Sequence, residues 1–189
     1  MDSRVTTRHG DDGESMALNG NRYLKSHPIM EAVGGVDELR AQAALLRLLM
    51  ADDSRYAMEC AFVEWLLHTM FVLGSECSDP TQARPSYHPK RIGPTHLEEL
   101  ETEQLRLEHA APLPRVFIAG ASNRLSAQAD IVCTTARRLE RNIVHLKEVE
   151  PDFESQHIVP YVNRLSDYFF VLARFLEGGR HLTVDYEQV

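Results

Sequence analysis

The stretch Tyr161–Phe175, YVNRLSDYFFVLARF, carries the reading of the whole chain. Val162, Leu165, Phe169, Leu172 and Phe175/Leu176 recur at helical spacing and make one apolar stripe, the mark of an amphipathic helix. Its head is unusually polar, because Asn163, Arg164, Ser166 and Asp167 crowd into the first turns. A helix start with unpaired amides accounts for one such residue, hardly for four. Asn163 and Asp167 are four apart and stack on one side, while Arg164 points elsewhere.

The same period runs outward from this helix. A helix begins at Pro28 and reaches the ADDS of residues 51–54, with Val33, Val36, Leu39, Ala43, Leu46 and Leu49 on one face. A second spans about Arg55 to Glu76, with Phe62, Leu66, Thr69, Leu73 and Glu76 along one side. A third, about Thr95 to Ala110, has an acidic face of Glu98, Glu99, Glu101 and Glu103. In the fourth, Leu125, Ala129, Val132, Ala136, Leu139, Ile143 and Leu146 alternate steps of four and three, a heptad-like seam suited to a left-handed bundle. The fifth begins near Ser155 and stops at the glycines of Glu177–Gly179. Residues 78–94 hold four prolines and form an irregular connection, and APLPRVFIAGAS, residues 111–122, is another break. No run shows a convincing strand pattern. The expected fold is all-α: a five-helix bundle in one domain over residues 1–189. Residues 1–27 form an N-terminal loop segment, 28–179 the bundle and 180–189 a C-terminal tail.

Composition narrows the partners. Of 189 residues, 43% are apolar and 25% charged, ordinary for a globular protein with a sizeable core. Acidic residues outnumber basic ones 28 to 20, for a formal charge of -8, which argues against a nucleic-acid partner but not against a small phosphorylated ligand. Cys60, Cys77 and Cys133 are an odd number without a CxxC pair, which points to a reducing compartment. No apolar run approaches the roughly 20 residues of a membrane span, and the start lacks a hydrophobic signal segment. The expected location is the cytoplasm, away from any membrane.

Two further polar groupings invite chemistry. TRHGDDGES, Thr7–Ser15, followed by Arg22 and Lys25, combines glycines, a hydroxyl and basic side chains around which an anion can be held; its plain alternative is an ordinary turn. In ARRLER, Ala136–Arg141, Arg137 and Arg141 lie one turn apart with Glu140 between them; the plain alternative is a solvated face with internal ion pairs. The sequence contains no HExxH, no closely spaced Cys/His set and no GxSxG elbow.

In order, these segments resemble the ATP:cob(I)alamin adenosyltransferases of the propanediol-utilisation type. The family's TGDxGxT is matched by HGDDGES, its Arg and Lys by Arg22 and Lys25, and its YGxVDELN by VGGVDELR, Val33–Arg40. FDLGxEL is matched by FVLGSEC, Phe71–Cys77; FILPGG by FIAGAS, Phe117–Ser122; and RTVCRRAER by CTTARRLER, Cys133–Arg141. YxNRLSDYLFVLAR is almost unchanged at Tyr161–Arg174, and the spacing from Thr7 to Asp37 and from Phe117 to Arg141 needs no gap.

The resemblance implies a five-helix bundle assembled as a homotrimer with active sites between neighbouring subunits. The implied reaction transfers the 5′-deoxyadenosyl group of ATP to the Co(I) of a corrinoid, forming adenosylcobalamin and releasing triphosphate. Gly10, Asp11, Gly13, Ser15 and Lys25, with Thr7, Arg8 and Arg22, would hold the triphosphate and its Mg2+. Arg137 would sit on the phosphates as charge builds. Glu140, Arg141 and Asn163 would complete the nucleotide site, with Glu140 and Asn163 at the metal. Phe117 matches the aromatic that displaces the corrinoid's lower axial ligand, leaving four-coordinate cobalt that is easier to reduce. A flavoprotein reductant and an adenosylcobalamin-dependent enzyme are the implied protein partners.

Some positions depart from the pattern. Cys133 stands where the family has an Arg that pairs with the Asp of VDELN, Asp37 here, across the interface. Asp37 therefore needs another partner, such as Arg40 or a water. Cys133→Arg is expected to strengthen the trimer, unless the seam has repacked around the thiol. Glu14 adds a carboxylate to the phosphate loop that a base or magnesium must offset. These departures carry the alternative reading, a catalytically weak or inactive paralogue that binds ATP or corrinoid as a sensor or carrier.

Overall fold

The computed structural model describes residues 5, 6 and 8–188. It is the expected bundle: α1 Pro28–Ala51, α2 Ala57–Ser78, α3 Pro94–Ala110, α4 Arg124–Val149 and α5 Ile158–Leu176. Local chemistry sets the helix starts. The His27 imidazole accepts from the Ile29 amide at 3.2 Å ahead of Pro28, which has no N–H to satisfy. At α4, Asn123 and Ser126 form a reciprocal capping box. Helix α5 starts at Ile158 rather than near Ser155, because Ser155 is used in a turn: its N–H donates to the Phe153 carbonyl at 2.7 Å. Its end is set by Gly178 and Gly179, whose φ of 58° and 80° lie in the left-handed region.

Cross-helix pairs give the packing. Arg47 meets Glu64 and Val36 lies against Gly74, so α1 and α2 are antiparallel. Gln128 bonds Gln42 and Asn142 bonds the Glu31 carbonyl, so α4 is antiparallel to α1. Arg174–Asp130 and Asn163–Glu140 make α5 antiparallel to α4. His96 against Tyr161 and Arg164 against Glu101 place α3 parallel to α5. Helix α5 is the central one, with twelve of its nineteen residues buried. Each buried Leu, Val or Phe there contributes about 1.5–3 kcal/mol. Gly35 permits close α1–α4 contact, since a Cβ there would lie 3.1 Å from the Leu139 Cδ1.

Four short strands among the described residues correct the strand-free reading. β1 (Glu14–Met16) pairs antiparallel with β2 (Arg22–Leu24), with Ser15 opposite Tyr23. β3 (Ile118–Gly120) pairs antiparallel with β4 (Leu182–Thr183). Runs of two or three residues are too short to show an alternation of period two. The β1–β2 hairpin docks on the end of α2, where the Leu18 amide donates to the Ser78 hydroxyl at 2.9 Å. The Pro-rich connection after α2 is organised by Asp79, whose carboxylate accepts from the amides of Ala83 and Arg84 and meets the His88 ring, each at 2.8 Å. Burial pushes this carboxyl up, but those hydrogen bonds outweigh it and hold it below the usual range.

Among the described residues, Ser54–Ser78 is a helical stretch long and apolar enough to cross a membrane by length and composition. Its Val63, Leu66, Met70 and Leu73 are buried in the bundle core. Its Glu59, Glu64 and Glu76 are hydrogen-bonded to Arg106, Arg47 and the Ile92 amide. That is the pattern of a core helix.

Candidate active site

Two clefts receive nine of the thirteen candidate residues. The first, about 580 Å³, lies between α4 and α5 and is lined by Arg137, Glu140, Arg141, Val144, Asn163, Ser166 and Asp167. The i, i+3, i+4 spacing of α4 brings Arg137, Glu140 and Arg141 to one wall. The head of α5 supplies the facing wall. Asn163 Nδ2 donates to Glu140 Oε1 at 3.2 Å, and the Arg141 guanidinium donates to the Arg137 carbonyl at 3.1 Å. Arg164 turns away to Glu101 on α3 at 2.9 Å, while its other nitrogen donates to Asn163 Oδ1 and fixes the amide orientation. The Ser166 hydroxyl donates back to the Asn163 carbonyl. The polar head of α5 is thus divided: Asn163, Ser166 and Asp167 meet the cleft, and Arg164 ties the helix to α3. Asp167 and Ser166 belong to the cleft although sequence reasoning assigned them no role; the four-residue spacing from Asn163 was the signal for Asp167.

The second cleft, about 770 Å³, is lined by Arg8, His9, Gly10, Asp11, Asp12, Glu14, Ser15, Met16 and Arg22. Gly13, with φ of 84°, turns the chain into β1. Lys25 closes the loop: its amide donates to the Gly13 carbonyl at 2.9 Å and its ammonium to the Gly10 carbonyl at 2.7 Å. Arg22 lies 2.7 Å from Asp12 and 3.3 Å from Glu14, so the extra carboxylate of this loop has its own base. The hydrogen bond from Arg22 holds the Asp12 carboxyl below the usual range. Thr7 lies outside the described residues.

The two clefts share no lining residue. Phe117 belongs to neither and is 74% exposed. Phe117 lies seven residues before the start of α4 at Arg124, and about 20 Å of helix rise separates that start from Arg137. Of the two partners open to Asp37, the subunit uses Arg40, at 2.8 Å. Cys133 is 3% exposed within the core cluster, and burial pushes its thiol up. The thiol thus packs inside the subunit, within the core cluster.

The metal donors can be tested against this geometry. Among the described residues no group of three or more His, Cys, Asp or Glu side chains could hold a metal alone. The α4–α5 cleft offers the Glu140 and Asp167 carboxylates, whereas the Asn163 amide turns its nitrogen to Glu140 and its oxygen to Arg164 and must rotate before that oxygen can meet a metal. A few hard oxygen donors suit a Mg2+ that takes most of its ligands from phosphate and water.

The sequence model of cobalamin adenosyltransferases matches residues 5–176, a span containing both clefts and Phe117. The chain belongs to the cobalamin adenosyltransferase family. It is 36% identical over 184 residues to the cobalamin adenosyltransferase of Cupriavidus metallidurans, covering 94% of this chain and 91% of that one. It is 30% identical over 176 residues to the human corrinoid adenosyltransferase MMAB, covering 91% of this chain and 68% of the human protein. Its fold superposes on a variant of the PduO-type ATP:corrinoid adenosyltransferase from Lactobacillus reuteri complexed with cobalamin and ATP, with a TM-score of 0.84, 23% identity and 97% of each chain covered. This cobalamin adenosyltransferase carries residues 177–189 beyond the matched span.

Proposed function

We infer that this chain transfers the 5′-deoxyadenosyl group of ATP to the Co(I) of a corrinoid, forming adenosylcobalamin and releasing triphosphate. The observation that carries the reading is the meeting of Arg137, Glu140 and Arg141 with Asn163 in one cleft of a chain of this family. Co(I) attacks the ribose C5′ with its own electron pair, the Co–C bond forms, and the C5′–O bond breaks with its electrons leaving on triphosphate. The nucleophile needs no general base, so the protein's task is positioning and charge stabilisation. Arg137 lies over the phosphates and offsets the charge that develops as triphosphate departs, with Arg141 beside it. Gly10, Asp11, Gly13, Ser15 and Lys25 hold the triphosphate, with Thr7, Arg8 and Arg22 at the rim. Glu140 and Asn163 would hold Mg2+, which supplies charge neutralisation along the phosphates. Phe117 takes the lower face of the corrinoid and displaces its axial ligand.

The separation of the two clefts favours a homotrimer in which the loop of one subunit completes the α4–α5 cleft of its neighbour. The pairing of Glu14 with Arg22 and of Asp37 with Arg40 supports an active enzyme, because each departure from the family pattern is offset locally. Cys60, Cys77 and Cys133 are all free, as suits the cytoplasm. There a flavoprotein would supply reducing equivalents and an adenosylcobalamin-dependent enzyme would take the product. An anaerobic assay with MgATP and chemically reduced cobalamin tests the reading by the spectral change on Co–C bond formation. An unchanged spectrum with the folded protein present refutes it.

A further inference from the structure

Phe117 has no packed environment of its own, so what aims it must act through the backbone. Residues beyond the family match supply that hold. The Val184 amide donates to the carbonyl of Phe117 itself at 2.9 Å. The following residues pair with the tail, Ile118 opposite Thr183 and Gly120 opposite Leu182. Gly178 and Gly179 reverse the chain after α5, which lets the tail run back along β3.

One buried carboxylate ties both strands to the bundle. Glu177, 4% exposed, accepts through Oε1 from the Ser122 amide at 3.2 Å and through Oε2 from His181 Nδ1. Ser122 lies two residues after β3 and His181 one residue before β4. Glu177 is itself held by Arg174 at 3.3 Å, and the almost fully buried Arg174 is anchored by Asp130 at 2.7 Å. The Asn123 side chain adds a bond, its Nδ2 donating to the Leu176 carbonyl at 2.9 Å.

We propose that Glu177, His181 and the β4 strand form a clasp that positions Phe117 against the corrinoid, with Glu177 and His181 as positioning residues for adenosylation of cob(II)alamin. The clasp rests on the reading of Phe117 given above. The α4–α5 cleft sits farther along α4, so the clasp governs the corrinoid face and not the nucleotide.

The test uses the full chain and four variants: Phe117→Ala as reference, His181→Ala and Val184→Pro to open the clasp at two different bonds, and His181→Asn to keep a donor at the Nδ1 position. The readouts are the electron paramagnetic resonance signal of four-coordinate cob(II)alamin with MgATP, turnover with a reductant, MgATP affinity and melting temperature. The expected result is that His181→Ala and Val184→Pro lose most of the four-coordinate signal and about 10- to 100-fold in turnover, as a misplaced group would. MgATP affinity should stay at the parental value, and His181→Asn should recover the signal. If Phe117→Ala loses the signal while both clasp variants keep it, the clasp is overturned. If MgATP affinity and melting temperature fall in step with turnover, the tail is merely structural and the proposal also fails. Retention of the signal in Phe117→Ala refutes the reading of Phe117, and the clasp's role with it.

Discussion

Arg137 and Cys133 are one turn of α4 apart and show how differently two neighbours take substitution. Arg137 is exposed and its side chain serves the cleft, so Arg137→Ala should leave the melting temperature unchanged. Loss of a charge-assisted contact to phosphate should weaken MgATP binding by about 1.5–3 kcal/mol, roughly 10- to 150-fold in Kd. Calorimetry that finds parental affinity would remove Arg137 from the nucleotide site. Cys133 is buried, and Asp37 already has Arg40. Cys133→Arg should therefore overpack the α4–α5 seam and lower stability by about 1–3 kcal/mol. A urea midpoint equal to that of the parent would show that the seam has room for the longer side chain.

At the scale of elements, the joint between α2 and α3 holds a carboxyl in an unfavourable place. Glu76 accepts from the Ile92 amide at 2.7 Å at the end of α2. Burial raises its pKa, against the opposing influence of the Ile92 amide, Arg91 and His88, and Glu154 adds to the rise. A carboxyl whose folded pKa is raised binds its proton more tightly in the folded state. Its contribution to stability is complete below the unfolded pKa and is lost as pH rises through the folded value. Glu76→Gln keeps an oxygen for the Ile92 amide and removes the titration. The variant should gain stability relative to the parent as pH rises from 4 to 7, which urea midpoints across that range would reveal. A constant difference between the two proteins over the range would show that Glu76 does not titrate there.

For the whole molecule, the two disjoint clefts lead to a complementation experiment. Neither Lys25→Ala nor Arg137→Ala subunits should turn over alone. In mixed trimers, a site built from the loop of one subunit and the α4–α5 cleft of its neighbour is intact whenever it draws each half from the variant that left that half unchanged. Equal mixing and re-assembly should restore about a quarter of parental turnover, the statistical share of such sites. Failure to regain activity, with sedimentation showing that mixed trimers formed, would place both halves of each site in one subunit.

What the sequence by itself determined was everything carried by short-range periodicity and by contiguous motifs. Apolar helical spacing marked four of the helices and an acidic face the third, because i, i+3 and i+4 neighbours repeat the same environment several times within one element. The Asp37–Arg40 pair was legible for the same reason, being one turn apart on α1. Arg137, Glu140 and Asn163 were marked by contiguous motifs, but only the antiparallel packing of α4 on α5 brought Asn163 within bonding distance of Glu140. The tertiary structure alone decided the pairing of β3 with β4, the bond from Val184 to Phe117 and the joining of Ser122 to His181 through Glu177. The partners in these contacts are mostly far apart in the chain, and strands of two or three residues carry no repeat. What sets such contacts is the path the bundle imposes on its loops, so no local pattern foretells them.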